Sequence, residues 1–496
     1  MGIIQKQSIR SSIIIVAGFA IGAINMIVLS PRLLTTEQLG LTRLLLDTGS
    51  TLAYLCTFGC LPIIYKFFPF YRSYLPARKN DLPFITLIVC LVGFVIVSII
   101  GISMKDIIVR KFSERSPLFV EYSYLVYPLT FFMLIYSWLE AFAWSFRKGV
   151  VSNALRETLV RLVFTVLIIL LAAQIIGTDQ FLQLFSASYL LPVIFLFIVL
   201  RKTGGFGFYS TPSTVTRRMK GKMINFGLFL FGAQFLNLLS RTVDTFILSA
   251  KSDRGLTDTA VFTIATYVIT IMEIPQRSMN SITIPVLAEA WKNKDLQHIN
   301  QVYTKSVANL LVIGLMIFSL TILNVHNLAT FLGSDYKGIE WVIFLLVIGK
   351  LIDLGTGSNS QVIGTSNYWK VDFITNVIYT LLALPLNYIL ISHYGLIGAA
   401  YSTLLSLTFY NLMRFGFLWY KFGLQPYTWK DLQAVLLAAL VIPVVYFLPN
   451  ASSIYLDAAI RTTVFCLLFV PAIYFLKVSV EINQLIEKYI PFFRKK

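Results

Sequence analysis

Charge is what this sequence has least of. Of its 496 residues only 13% are Asp, Glu, Lys or Arg and 57% are hydrophobic, at a mean hydropathy of +0.76; an average soluble domain is about 25% charged. That deficit excludes a soluble globular chain, and no connector between the apolar runs is long enough to hold a soluble domain. The three histidines, His298, His326 and His393, are scattered, and there is no P-loop, HExxH or GxSxG. No ATP-hydrolysing domain is legible, so energy for any work would come from an ion gradient, the substrate gradient or a partner, and no cofactor is implied. Cysteine is scarce: Cys56, Cys60, Cys90 and Cys466 all lie in apolar stretches, where thiols act as small hydrophobes. Cys56 and Cys60 stand at i, i+4 with no nearby His, a poor metal site.

What is present in quantity is apolar sequence in stretches of about 20 residues, each able to cross a hydrocarbon core of about 30 Å. Reading these against breakers predicts an all-α polytopic membrane protein of about fourteen spans. They begin with 11–31 and 44–65 and end with 370–392, 396–420, 432–449 and 457–477. The first run follows Lys6 and Arg10; it is too long for a signal-peptide core and reads as a retained helix.

The net charge of +18 does not point to nucleic acid, because the basic residues are spread among loops and form no single patch. With a cytoplasmic N-terminus, most of the 41 Lys and Arg residues fall in loops on that side, including Arg72, Arg78, Lys79, Arg147, Lys148 and the run from Arg201 to Lys222. The positive-inside rule then places both termini in the cytoplasm. The connector Lys105 to Arg115, with four basic residues on the opposite face, runs against it.

The longest connector, "RKTGGFGFYSTPSTVTRRMKGKM", is basic and rich in Gly, Ser and Thr. It divides the chain into an N-terminal six-helix bundle (1–200), the linker itself (201–223), a C-terminal six-helix bundle (224–421) and two further helices with an amphipathic tail (422–496). Six crossings per half orient both halves alike, the parallel-repeat plan of many transporters. Identity between the halves is faint, limited to Gly-bearing openings such as "IRSSIIIVAGFAIGAINM" and "KMINFGLFLFGAQFLNLL". The tail "VEINQLIEKYIPFFRKK" alternates apolar and charged residues at helical spacing and reads as an interfacial helix on anionic lipid.

Charges inside spans cost about 2.5 to 3.5 kcal/mol each, so each is a candidate for function. The seventh span carries Arg241 and Asp244, the eighth Glu273 and Arg277 in "MEIPQR", and the tenth Lys350 and Asp353 in "GKLID". Each cation has an acid three or four residues away, on the same helix face. Two readings stay open: self-neutralising pairs that ease insertion and lock helices together, or three polar faces gathered around one water-filled cavity. Lys350 lies near mid-span, where snorkelling reaches least, which favours the cavity. In the first half, Asp47 and Glu140 sit toward span ends and suit cap or interface roles as well as ion coupling. The tenth span ends in "LGTGSNSQVIGTSN", whose interrupted pattern is tolerated at membrane depth where it lines protein or water; Asn359 and Gln361 there could meet a sugar or phosphate.

Together with "IPQRSMNSITIPVLAEAW", the early "TTEQLGLTRLLLDTGSTLAYLCTFGC" and the six plus six plus two plan, the chain resembles the polysaccharide-transport flippases of the multidrug/oligosaccharidyl-lipid/polysaccharide exporter superfamily. The resemblance implies a V-shaped pair of bundles that moves an undecaprenyl-pyrophosphate-linked oligosaccharide between leaflets of a bacterial inner membrane by alternating access. O-antigen or capsule repeat units are the expected cargo, as in lipopolysaccharide assembly. Expected partners are that lipid-linked substrate, membrane lipids, and a polysaccharide polymerase and glycosyltransferases of the same pathway. Arg241, Arg277 and Lys350 match the cationic cavity such substrates need, since Arg can engage phosphate through two donors. The departure is that each is shadowed by an acid. A multidrug extruder of the same superfamily is the alternative; a membrane polysaccharide polymerase fits less well, because the connectors are too short for a catalytic loop.

Overall fold

Helix α2, Thr36–Cys56, starts where a capping box closes: the Thr35 hydroxyl accepts from the Gln38 backbone N–H at 3.2 Å and the Gln38 side chain accepts from the Thr35 N–H at 3.0 Å. Two orphan donors at the helix start are thereby satisfied. Leu39, Leu41, Leu44 and Leu45 then bury completely. The computed structural model describes residues 17–76, 79–203 and 205–489, and among these every regular element is helical. Before α2 stands α1, Ala17–Leu33, an apolar helix with a π-helical stretch at Ile24–Leu29. Lys6 and Arg10 lie outside the described residues, as do Arg78 and the tail cations Arg494, Lys495 and Lys496.

The chain continues as α3 (Cys60–Tyr74), α4 (Leu82–Ser103), α5 (Lys105–Phe112), α6 (Pro117–Ser145) and α7 (Val160–Ala172). Then follow α8 (Thr178–Arg201), α9 (Thr214–Lys251), α10 (Leu256–Lys292), α11 (Leu296–Leu332), α12 (Ile339–Gly355) and the short α13 (Asn359–Gly364). The last four are α14 (Trp369–Phe422), α15 (Trp429–Tyr446), α16 (Ile454–Leu476) and α17 (Val480–Tyr489).

Nine of the described helices are long and apolar enough to cross a membrane, ten if the bent pair α2 and α3 forms one span. The chain is an all-α, multi-pass membrane protein. The shortfall from about fourteen spans has identifiable causes. Residues 370–392 and 396–420 are the two helical arms of α14, parted at Gly395, where the chain turns back so that Asp372 on the first arm pairs with Arg414 on the second. Helices α7 and α12 supply the runs expected there but are each shorter than 18 residues, and of the run read at 11–31 only the part from Ala17 lies among the described residues. The span read at 44–65 is two helices, bent by 49°, because Phe58 and Gly59 take positive φ. A Cβ on Gly59 would lie 2.4 Å from the Gly227 carbonyl oxygen, so only glycine permits this approach of α3 to α9.

Helices α9, α10 and α11 have 38, 37 and 37 residues. At 1.5 Å per residue each is about 55 Å long, well beyond the hydrocarbon core. The basic connector therefore ends in helix: Ser213 caps α9, its hydroxyl accepting from the Thr216 N–H at 3.2 Å. Asp81 fixes that start by accepting from the Ser213 N–H at 2.8 Å and from the Thr216 hydroxyl at 2.7 Å.

By contacts the chain separates into two compact units, Met1–Ala260 and Val261–Lys496. In the first, α2 packs on α6 and α4, and α9 lies against α2 and α3. An aromatic and aliphatic core holds them, including the fully buried Trp138, whose indole N–H donates to the Thr86 hydroxyl at 3.0 Å. In the second, α12 packs on α11 and α14, while α15 and α16 pack on each other and on α11. The small pair Ala434 and Ala438 faces Leu311, Leu315, Phe465 and Phe469 in that cluster, an arrangement that brings helix backbones close.

Candidate functional site

The three charge pairs read from sequence distribute over both units. Arg241 and Asp244 lie on α9 in the first; Glu273, Arg277, Lys350 and Asp353 lie on α10 and α12 in the second. Only the second unit's four residues form one network among the described contacts.

Pro275 lies within that network's stretch of α10, leaving the Ile271 carbonyl without its backbone donor, with Glu273, Gln276 and Arg277 on either side of it. The Lys350 ammonium donates to Gln276 Oε1 and to Asp353 Oδ2, both at 2.8 Å, and stands 3.9 Å from Glu273 Oε1. Gln276 closes the ring by donating from Nε2 to Asp353 Oδ2 at 3.1 Å. Arg277 donates from Nη2 to Glu273 Oε2 at 2.8 Å. Glu273 thus lies between both cations, and two pairs read as separate are one group of four charges.

Exposure separates the two cations. The Lys350 side chain is 12% exposed and that of Arg277 58%, so Lys350 is enclosed by protein acceptors while Arg277 is open on one side. Asn411 on α14 extends the network, donating to Asp353 Oδ1 at 3.1 Å. Its own carbonyl accepts from the Thr356 hydroxyl at 2.8 Å and from the Asn359 amide at 2.9 Å. Asn359 is therefore a buried strut between α13 and α14, committed within the protein. Gln361, half-buried on α13, is not part of this network.

In the first unit Arg241 is exposed and Asp244 half-buried. Next to Asp244, the Thr245 hydroxyl donates to Asp47 Oδ2 at 2.7 Å, and Arg43 Nε donates to the same oxygen at 2.8 Å. Asp47 is 7% exposed and ties α2 to α9. Glu140, with its side chain 6% exposed, pairs with Arg156 at 2.9 Å. Sequence reasoning missed both cations. Arg43 was legible as the i−4 neighbour of Asp47; Arg156, sixteen residues from Glu140, was not.

Gln276 and Asn411 were missed too, since neutral amides carry no cost that draws attention. So were two buried pairs. Arg414, 3% exposed, donates to the Asp372 carboxylate and lies with its guanidinium 3.9 Å from the Tyr410 ring centroid. Arg461 pairs with Asp457 at 2.6 Å.

No protein-family model matches the sequence, and no curated relative matches it. Solved structures do. Lipid II flippase MurJ, in an inward closed conformation, superposes with a TM-score of 0.65 at 15% identity, over 88% of this chain and 97% of that one. An inward-facing multidrug resistance MATE family transporter of the MOP superfamily gives 0.58 at 16%, over 83% and 98%. The chain has the MOP transporter fold. A further MOP superfamily transporter, from Pyrococcus furiosus Vc1, whose binding pocket is described as of reverse polarity, matches at 0.51 and 15%, over 84% and 95%. A lipid II flippase and multidrug transporters both superpose on this fold, so the fold by itself assigns no substrate.

Proposed function

We propose that the protein flips an undecaprenyl-pyrophosphate-linked oligosaccharide from the cytoplasmic to the outer leaflet of a bacterial inner membrane by alternating access, with both termini cytoplasmic. The observation that carries the reading is Lys350. A cation on a membrane-embedded helix, 12% exposed and held at 2.8 Å by both Gln276 and Asp353, is costly to insert and suited to an anionic headgroup. Arg277 and Arg241, both exposed, supply the planar forks that phosphate oxygens favour. Glu273, Asp353 and Asp244 hold these cations when substrate is away; Asp47 and Glu140 remain candidates for ion coupling. Gln361 is a candidate sugar contact. The division into two six-helix bundles at linker 201–223, with two appended helices, belongs to the same proposal, as do polymerase and glycosyltransferase partners and an O-antigen or capsule cargo.

The second reading, a multidrug extruder, is favoured by one observation: Glu273 and Asp353 match the two cations of their network in number, leaving it formally neutral. Surface-polysaccharide export decides between them. Arg241→Ala and Lys350→Ala should abolish export measured per folded molecule; unchanged glycans with drug hypersensitivity on deletion would favour the extruder. Synthesis of polymer by the purified protein would overturn both.

A further inference from the structure

The first unit carries its own anchored guanidinium, and the pairing around it is regular. On α6, Glu140 and Trp144 stand one turn apart; on the segment before α7, so do Ser152 and Arg156. Glu140 pairs with Arg156 at 2.9 Å and the Trp144 indole N–H donates to the Ser152 hydroxyl at 3.0 Å. Arg156 sits in a π-helical turn, Leu155–Leu159, a feature frequent at functional sites because the widened turn re-aims its side chains.

Both contacts from Arg156 to Glu140, at 2.9 and 3.2 Å, use Nη1, which leaves Nε and Nη2 without a bond to a described residue. The Glu140 side chain is 6% exposed and that of Arg156 44%. A buried carboxylate therefore fixes one corner of the fork on a side chain that is partly open, the preorganisation that lowers the cost of binding. Beside it Tyr65 and Trp144 are 40% and 46% exposed, their ring centroids 5.7 Å apart at 30°. A guanidinium edge suits phosphate oxygens, and adjoining aromatic faces suit a sugar ring or an isoprenoid.

We infer that Arg156, held by Glu140 and flanked by Tyr65 and Trp144, is a pyrophosphate-binding site of the first unit, separate from the Lys350 network. The inference rests on the flippase reading and adds to it a subsite and a positioning residue, Glu140.

The test uses the full-length protein in phosphatidylcholine nanodiscs, with polyprenyl pyrophosphate, the matching polyprenyl alcohol and inorganic pyrophosphate as probes. Arg156→Gln should weaken binding of the pyrophosphate probe by about tenfold or more, and Arg156→Lys by less, since Lys keeps charge and loses the fork. Because Arg156→Gln strands Glu140, the double variant Glu140→Gln/Arg156→Gln is the deciding one. It removes both charges and keeps shape, so a structural pair predicts wild-type affinity and a binding site predicts a lasting loss. A double variant that binds like wild type overturns the inference. Binding restricted to the polyprenyl form assigns the site to a lipid headgroup; competition by inorganic pyrophosphate assigns it to the anion itself. Wild-type protein that binds neither form sinks the flippase reading as well. Loss in Arg241→Ala with none in the double variant sinks only the subsite.

Discussion

Lys350 and Asp353 are neighbours on one face of α12 and share a third residue, Gln276 of α10, which accepts from the lysine at 2.8 Å and donates to the aspartate at 3.1 Å. A single amide thus reads the charge of both. The Asp353 carboxylate is further held by Asn411 of α14, so three helices of the second unit meet on one ion pair. Any change in that pair's charge state is felt at α10, α12 and α14 together, which makes it a lever on the unit's packing as well as a contact for a ligand.

Removing one partner of a pair this enclosed leaves an uncompensated charge, at a cost of about 3 to 5 kcal/mol. Lys350→Met is therefore expected to lower the unfolding temperature of the detergent-solubilised protein, and Lys350→Met/Asp353→Leu to restore much of it. Export in the double variant separates the roles. Restored stability without export assigns the pair to transport, and restored export with stability makes it a structural bolt.

Asp244 is expected to be dispensable where Arg241 is not. If it only parks the guanidinium between substrates, Asp244→Asn keeps both folded protein and export, because the amide retains shape and a hydrogen-bonding oxygen. Loss of folded protein in membranes from this variant would show instead a permanent pair that α9 needs in order to insert.

Gly395 has φ 55° and ψ −131°, a region that costs a side-chain-bearing residue of order 1 to 3 kcal/mol. It turns the chain between the two arms of α14. No heavy atom lies within 4 Å of where a Cβ would sit, so any penalty from Gly395→Ala is backbone strain alone and not collision. The variant should lose thermal stability with its oligomeric profile on size-exclusion unchanged; equal melting of variant and wild type contradicts it.

The sequence made the helical class legible because apolar runs of membrane length admit few alternatives. It placed Gly395 between two spans because residues 370–392 and 396–420 each read as membrane-length. It missed the bend at Gly59, since Phe58 continues the apolar pattern and a positive φ leaves no mark on hydropathy. Of the charged groups, those paired at i, i+3 or i, i+4 were readable from spacing: Glu273 with Arg277 and Lys350 with Asp353. Partners brought from other helices were not. Arg156 opposite Glu140, Asn411 opposite Asp353 and Asp372 opposite Arg414 depend on tertiary packing, and no periodicity encodes them. The fusion of two pairs into one network through Gln276 is of the same kind.

Arg461 gives the contrast that a functional arginine must be judged against. Its Nε donates to Asp457 at 2.6 Å, Nη1 to the carbonyls of Val445 and Tyr446 at 3.1 and 2.9 Å, and Nη2 to the Leu448 carbonyl and the Asn450 side chain at 3.2 and 2.8 Å. All five guanidinium donors are used. Two of the acceptors are the last carbonyls of α15, which have no partner within their helix and favour a cation. Asn327 of α11 binds the same aspartate at 2.7 Å, so this arginine clamps α15, α16 and α11 and has no donor left for a ligand. Arg461→Met should therefore cost about 3 to 5 kcal/mol through the stranded Asp457 and the uncapped carbonyls, seen as a lower melting temperature. Transport per folded molecule should stay at the wild-type level. A variant that melts normally, or that is folded yet inactive, would mean that saturation of donors does not separate a structural arginine from a binding one in this fold, and the case for Arg156 would weaken with it.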